Sequence, residues 1–187
     1  MQVKFCDGRC SSHEKESPVF GNRRFDPSLI ISSKPCKYGY AQVIVCKPLS
    51  NKLRPFPTTF WLTCPYLIKL AGKIESNGGI SELEAYMRDN NLYHKWQEYN
   101  YIHQVLRLNL LDKKLCAFMR KYHTKIFRTL IRSGIGGMIY GRDDINVKCL
   151  HLQTASFLGL GFHPAEKWLK NKGLSEDLTN DRIPKNN

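Results

Sequence analysis

Thr58-Thr59-Phe60-Trp61-Leu62-Thr63-Cys64-Pro65-Tyr66-Leu67-Ile68-Lys69-Leu70-Ala71 is the stretch on which the fold turns. Apart from Leu62, its first six residues are β-branched or aromatic, the composition of a half-buried strand. The strand stops at Cys64, because Pro65 lacks the N–H that a sheet needs and is best placed at the first position of a helix. Tyr66, Leu67, Leu70, Ala71 and Ile74 then fall on one helical face, and Ser76-Asn77-Gly78-Gly79 ends the helix.

Upstream, Tyr40-Ala41-Gln42-Val43-Ile44-Val45-Cys46-Lys47 is a second strand-forming run. Pro48, Ser50, Asn51, Pro55 and Pro57 dictate a loop between the two, so they form an antiparallel pair with a long connection. Downstream the period becomes helical. Ser81 and Glu84 have capping-box spacing ahead of Leu83 and Met87, and residues 92–108 place Trp96, Tyr99, His103 and Leu106 three and four apart. A long amphipathic helix opens near Asp112, with Leu115, Met119, Tyr122, Ile126 and Leu130 on one side. Ser133-Gly134-Ile135-Gly136-Gly137 ends it in a turn. Asp143 or Asp144 caps a fifth helix carrying Val147, Leu150, Thr154, Phe157 and Leu158, and Pro164 opens a short sixth around Trp168. These patterns predict an α+β, mostly α fold, a small antiparallel strand pair packed against five or six helices. The expected core is Trp61, Leu67, Leu70, Trp96, Leu115, Met119, Tyr122 and Leu150.

With 187 residues, 42% hydrophobic and 24% charged, the chain suffices for one domain with a real core. Breaker residues predict an irregular cysteine-containing arm over 1–34, a single compact domain over 35–170 and a polar flexible tail over 171–187. No apolar stretch has the length of a signal peptide or a membrane span, which predicts a cytoplasmic protein. Seven cysteines, an odd number, point to free thiols, metal ligands or a redox site more than to a disulfide framework. The net charge of +13 draws in nucleic acid, anionic lipid or an acidic protein partner. Lys114, Lys121, Lys125, Arg128 and Arg132 lie nearly opposite the apolar side of the fourth helix, a basic stripe suited to RNA or another polyanion. Tyr38, Tyr40 and Trp61 could add stacking surfaces.

Three segments stand together in a recognisable order: Pro35-Cys36-Lys37-Tyr38-Gly39 with Gln42, then Phe56-Pro57-Thr58 through Thr63-Cys64-Pro65, then Lys148-Cys149-Leu150-His151 after the glycine turn. Over roughly residues 34 to 165 the chain resembles the bacterial family catalogued as domain of unknown function 501. The resemblance implies a cytosolic protein with a shared set of Cys36, Cys64, Cys149 and His151, and no established activity. By analogy of gene context it implies a protein partner in cell-division or envelope machinery. The family carries further histidines after the Lys-Cys-Leu-His block, where Gln153 and Ser156 stand here, so a site that needs them is incomplete in this chain.

Those four residues support two chemistries. Three cysteines and a histidine are a zinc set, Zn²⁺ taking thiolate and imidazole in tetrahedral geometry, although Cys36, Cys64 and Cys149 lack the paired spacing of zinc ribbons. In a regular helix Cys149 and His151 point about 200° apart, so they share an ion only at a helix end or a kink. Alternatively Cys64, at a helix N-terminus that favours thiolate, is the nucleophile of a thiol-dependent enzyme, with Cys149 or His151 beside it. Glu75 and Asp143 could orient His151. Cys6, Cys10 and His13 form a looser cluster that Cys36 or Cys46 could complete, while Cys46 and Cys116 read as packing residues. No Walker loop, dinucleotide fingerprint or nucleophile elbow is present, so nucleotide hydrolysis, nicotinamide redox chemistry and esterase chemistry have no support. The leading expectation is a basic binding protein for RNA or another polyanion with a Cys/His cluster able to hold zinc. The alternatives are the thiol enzyme and the partner protein.

Overall fold

The computed structural model describes residues 26–36, 39–141 and 145–175. The strand-to-helix junction forms as its residues dictate. β1 (Ile30–Pro35), β2 (Ala41–Cys46) and β3 (Phe60–Leu62) make an antiparallel sheet in the order β1-β2-β3, with Ile44 opposite Trp61. β3 runs into α1 (Pro65–Ser76), which has Pro65 in its first turn and Cys64 as N-cap. Then follow α2 (Gly79–Asp89), α3 (Tyr93–Asn109), α4 (Lys113–Tyr122), α5 (Thr124–Arg132), α6 (Leu150–Leu160) and α7 (Glu166–Asn171). The fold is α+β and mostly α.

Several details depart from the sequence reading. β1 falls partly in the stretch expected to be an irregular arm. Its Ser32-Ser33-Lys34 has no strand period, and among the described residues it pairs in the sheet with β2 alone. Cys6, Cys10 and His13 lie outside the described residues. α2 begins at Gly79 behind a left-handed Gly78, not at Ser81, and the Glu84 carboxylate accepts the Val147 N–H at 2.8 Å. The long fourth helix is two helices, because His123 adopts φ −127° and ψ 48°. Tyr122, expected in the core, therefore sits at the end of α4 and is 61% exposed. The fifth predicted helix starts at Leu150, with Val147 ahead of it and Asp143 and Asp144 outside the described residues. Leu174, placed in the polar tail, is fully buried.

α6 is the centre of the molecule. Its Leu152 through Leu158 are all buried, so it needs apolar partners on every side. Ala155 and Leu158 pack with Val43, Phe60, Leu62 and Leu67, whereas Leu150, Leu152 and Phe157 join Met87, Trp96, Tyr99 and Trp168. Each such large side chain contributes about 1.5–3 kcal/mol by burial. A Cβ on Gly159 would stand 2.3 Å from Phe60 Cδ1, so only glycine lets α6 lie this close to β3. Lys34 Nζ donates to the Leu158 carbonyl at 2.8 Å and ties β1 to the same helix. Elsewhere the buried Arg107 guanidinium donates to the carbonyls of Leu130, Ser133 and Gly134. It gathers the electronegative end of α5 onto α3.

Candidate functional site

α1 and α6 pack against each other, and their contact builds one cluster of donor atoms. Ile68, Gly72 and Glu75 are spaced i, i+4, i+7 along α1 and share the face turned to α6. The His151 ring, in the first turn of α6, lies along that face. Its Nε2 is 3.1 Å from the Ile68 carbonyl oxygen and its Nδ1 is 3.0 Å from Glu75 Oε1. A Cβ on Gly72 would meet the ring at an ordinary 3.9 Å, so the imidazole packs over this position at normal contact distance.

Glu75 does more than hold the ring. The same Oε1 accepts the backbone N–H groups of Leu150 and His151, donors that the first turn of a helix leaves without internal partners. Cys149 is the N-cap, with an extended backbone at φ −166° and ψ 154°. That conformation turns its side chain away from the course it would take inside a helix, so Cys149 and His151 meet at a helix end as their spacing demanded. One donor atom each from Glu75, Cys149 and His151 lie within 4.8 Å of one another, and all three residues are half-buried.

The electrostatics follow from these partners. His151's hydrogen bond to Cys149, joined by those to Glu75, outweighs burial and lifts the imidazole from 6.5 to about 9. With an acceptor at each nitrogen, the ring is held as the doubly protonated cation near neutrality: Nε2–H donates to Ile68 and Nδ1–H to Glu75.

Of the site residues expected from sequence, the fold thus brings together Cys149 and His151 and adds Glu75. Cys64 is buried at the N-cap of α1 and Cys36 is half-buried at the end of β1. Among the described residues neither belongs to the three-residue cluster. Cys46, Cys116 and the others described are thiols without disulfides, Cys46 fully buried and Cys116 beside the α4–α5 core. Lys114, Lys121, Lys125, Arg128 and Arg132 are all exposed, but the break at His123 divides them between two helices. Asp143 is outside the described residues. The Ile68 carbonyl has no signature in any sequence. Glu75 had one only as a carboxylate able to orient His151.

A family model described as "Protein of unknown function (DUF501)" matches residues 32–171, which take in most of β1, the rest of the sheet, the cluster and helices α1 to α7. No curated protein and no solved structure matches the chain.

Proposed function

We propose, from the premise that this chain belongs to the DUF501 family of proteins of unknown function, that it is a metal-binding protein whose Glu75, Cys149 and His151 hold a single zinc-type ion. The observation that carries this is the convergence of a carboxylate, a thiol and an imidazole within 4.8 Å, with Nε2 of the imidazole committed to a backbone carbonyl. A hydrogen bond from the second nitrogen of a histidine to a carbonyl is the usual support of a metal ligand, because it fixes the ring and leaves the other nitrogen to the ion. Bonds of about 2.0–2.3 Å at tetrahedral angles put ligand atoms roughly 3.3–3.8 Å apart, a span this cluster reaches with little movement. A thiolate, an imidazole and a carboxylate suit zinc, and three protein ligands leave a fourth position for water or substrate.

The same geometry supports a thiol enzyme less well. A cysteine–histidine relay needs the thiol on one ring nitrogen and the orienting carboxylate on the other. Here the nitrogen opposite Glu75 is taken by the Ile68 carbonyl.

Titration of untagged, metal-stripped protein with zinc against a chromophoric chelator tests the reading. About one equivalent should bind, Cys149→Ser and His151→Gln should each weaken it by at least about 100-fold, and Glu75→Gln by about 10- to 100-fold. Cobalt in place of zinc should give a thiolate charge-transfer band that Cys149→Ser removes. Stoichiometry below about a tenth of an equivalent, or binding indifferent to all three substitutions, would end the proposal.

A further inference from the structure

From Lys113 to Arg132 the chain carries seven Lys or Arg and no Asp or Glu, and helices α4 and α5 put them in solvent. A charge density of this kind marks a surface that meets a polyanion. The arrangement of the neighbouring apolar groups identifies which one.

Around the α4 axis, taking Lys113 as zero and about 100° per residue, Arg120, Lys113, Lys121 and Lys114 fill an arc from about −20° to 100°. Phe118 and Tyr122 follow at about 140° and 180°. Both rings are open to solvent, 43% and 61% exposed, with centroids 5.1 Å apart and Lys121 Nζ 5.0 Å above the Tyr122 ring. Cys116, Ala117, Phe127 and Ile131, with Lys113 and Arg120, line a groove of about 490 Å³ between α4 and α5.

A helix that lies on an anionic membrane has one broad apolar face with cations at its margins. Here the order is inverted, cations at the centre of the outer face and aromatic rings beside them. A cationic track with adjacent exposed rings is how proteins hold single-stranded nucleic acid: phosphates follow the cations, and unpaired bases stack on the rings. Duplex bases offer no free faces to Phe118 and Tyr122.

We infer that the α4–α5 surface binds single-stranded nucleic acid, with Lys113, Lys114, Arg120 and Lys121 on the phosphates and Phe118 and Tyr122 stacked on bases. This site is separate from the Glu75–Cys149–His151 cluster and stands or falls without it.

Fluorescence anisotropy with a labelled oligouridylate of about 20 nucleotides, and with a duplex of equal length, tests it between 50 and 200 mM salt. The single strand should bind more tightly than the duplex, and affinity should fall with salt with a log–log slope of about −0.7 per phosphate contacted. Phe118→Ala and Tyr122→Ala should each weaken binding by about 5-fold or more. Lys114→Glu with Lys121→Glu should flatten the salt slope by about 1.4. All four positions are exposed, and an unchanged thermal midpoint will show that the variants fold. The inference is overturned if the duplex binds as well as the strand, if the two alanine variants bind like the parent, or if vesicles containing phosphatidylglycerol are bound while the oligonucleotide is not.

Discussion

His151 and His163 lie just inside and just beyond the two ends of α6, and the fold drives them in opposite directions. His151 presents both ring nitrogens to acceptors, Glu75 Oε1 and the Ile68 carbonyl, and its hydrogen bonds to Cys149 and Glu75 lift it to about 9. His163 is buried among Trp96, Tyr99 and Phe157, and burial, followed by the nearby His103, lowers it to about 3. Its hydrogen bonds require the neutral ring, because Nδ1 accepts the Ala165 N–H at 3.0 Å while Nε2 faces Gln153 Oε1 at 2.9 Å. One donor and one acceptor make a structural histidine. Two acceptors and a thiol make a place for a cation, whether a proton or a metal.

The sharpest way to break this contrast is to exchange the roles of the two ends. Substituting Cys149 or His151 should cost zinc at least about 100-fold in affinity with little loss of fold, since both are only half-buried. His163→Asn keeps an oxygen near the position that accepts the Ala165 N–H but leaves a void. It should cost about 2–3 kcal/mol of stability and move zinc affinity less than about 2-fold. Chelator competition alongside urea unfolding separates the two effects. A His163 variant that loses the metal would mean that the ends of α6 are not independent.

Acid provides the next largest effect. His103, lowered to about 3 by burial and then by Arg107, lies edge-on to Tyr99 at 4.8 Å, and its Nε2 has no hydrogen-bond partner among the described residues. For both His103 and His163 the folded value is below the unfolded 6.5, so the unfolded chain binds the proton first. Their burial is tolerated above pH 6.5, and stability falls as the pH drops from there towards 3. At pH 5 each withdraws about 2 kcal/mol. His103→Phe, which removes an unpaired buried nitrogen and keeps the edge-on ring contacts, should therefore lose about half as much stability between pH 7 and 5 as the parent. Equal losses in parent and variant, measured by urea midpoint, would show that His103 is not held neutral.

What the sequence disclosed divides along the same line between local and tertiary causes. The Thr58–Pro65 junction, α1 and α3 were legible because strand formers, a proline and a 3.6-residue period act within a few residues. The break at His123 was not, because neither His123 nor Thr124 is a helix breaker. α5 departs from α4 so that Leu130 enters the core beside Met119 and its terminal carbonyls reach Arg107, a residue in α3. β1 was hidden for a related reason: its polar Ser32-Ser33-Lys34 acquires strand structure from pairing with β2. At the site, Cys149 and His151 were visible as a motif. Glu75 was visible only as a group able to orient His151, and its capping of α6 from 75 residues away is a property of the packed helices. Cys36 and Cys64 share a motif with the cluster in the sequence but not a position in space.

The smallest effect is also the most diagnostic. In metal-free protein the folded value of His151, about 9, is above the unfolded 6.5, so its proton stabilises the fold fully below pH 6.5 and ceases to do so as pH rises through 9. The side chain is 34% exposed, and solvent screening keeps the effect below about 1 kcal/mol. Comparing urea midpoints at pH 6 and 9, the parent should lose slightly more than His151→Gln. Zinc should reverse the sign, since an ion at Nδ1 competes with the proton there, and its affinity should rise as the pH approaches 9. If zinc leaves the slope of stability with pH unchanged, the cation that Glu75 and Cys149 hold is the imidazolium itself, and the two histidines differ in charge without differing in function.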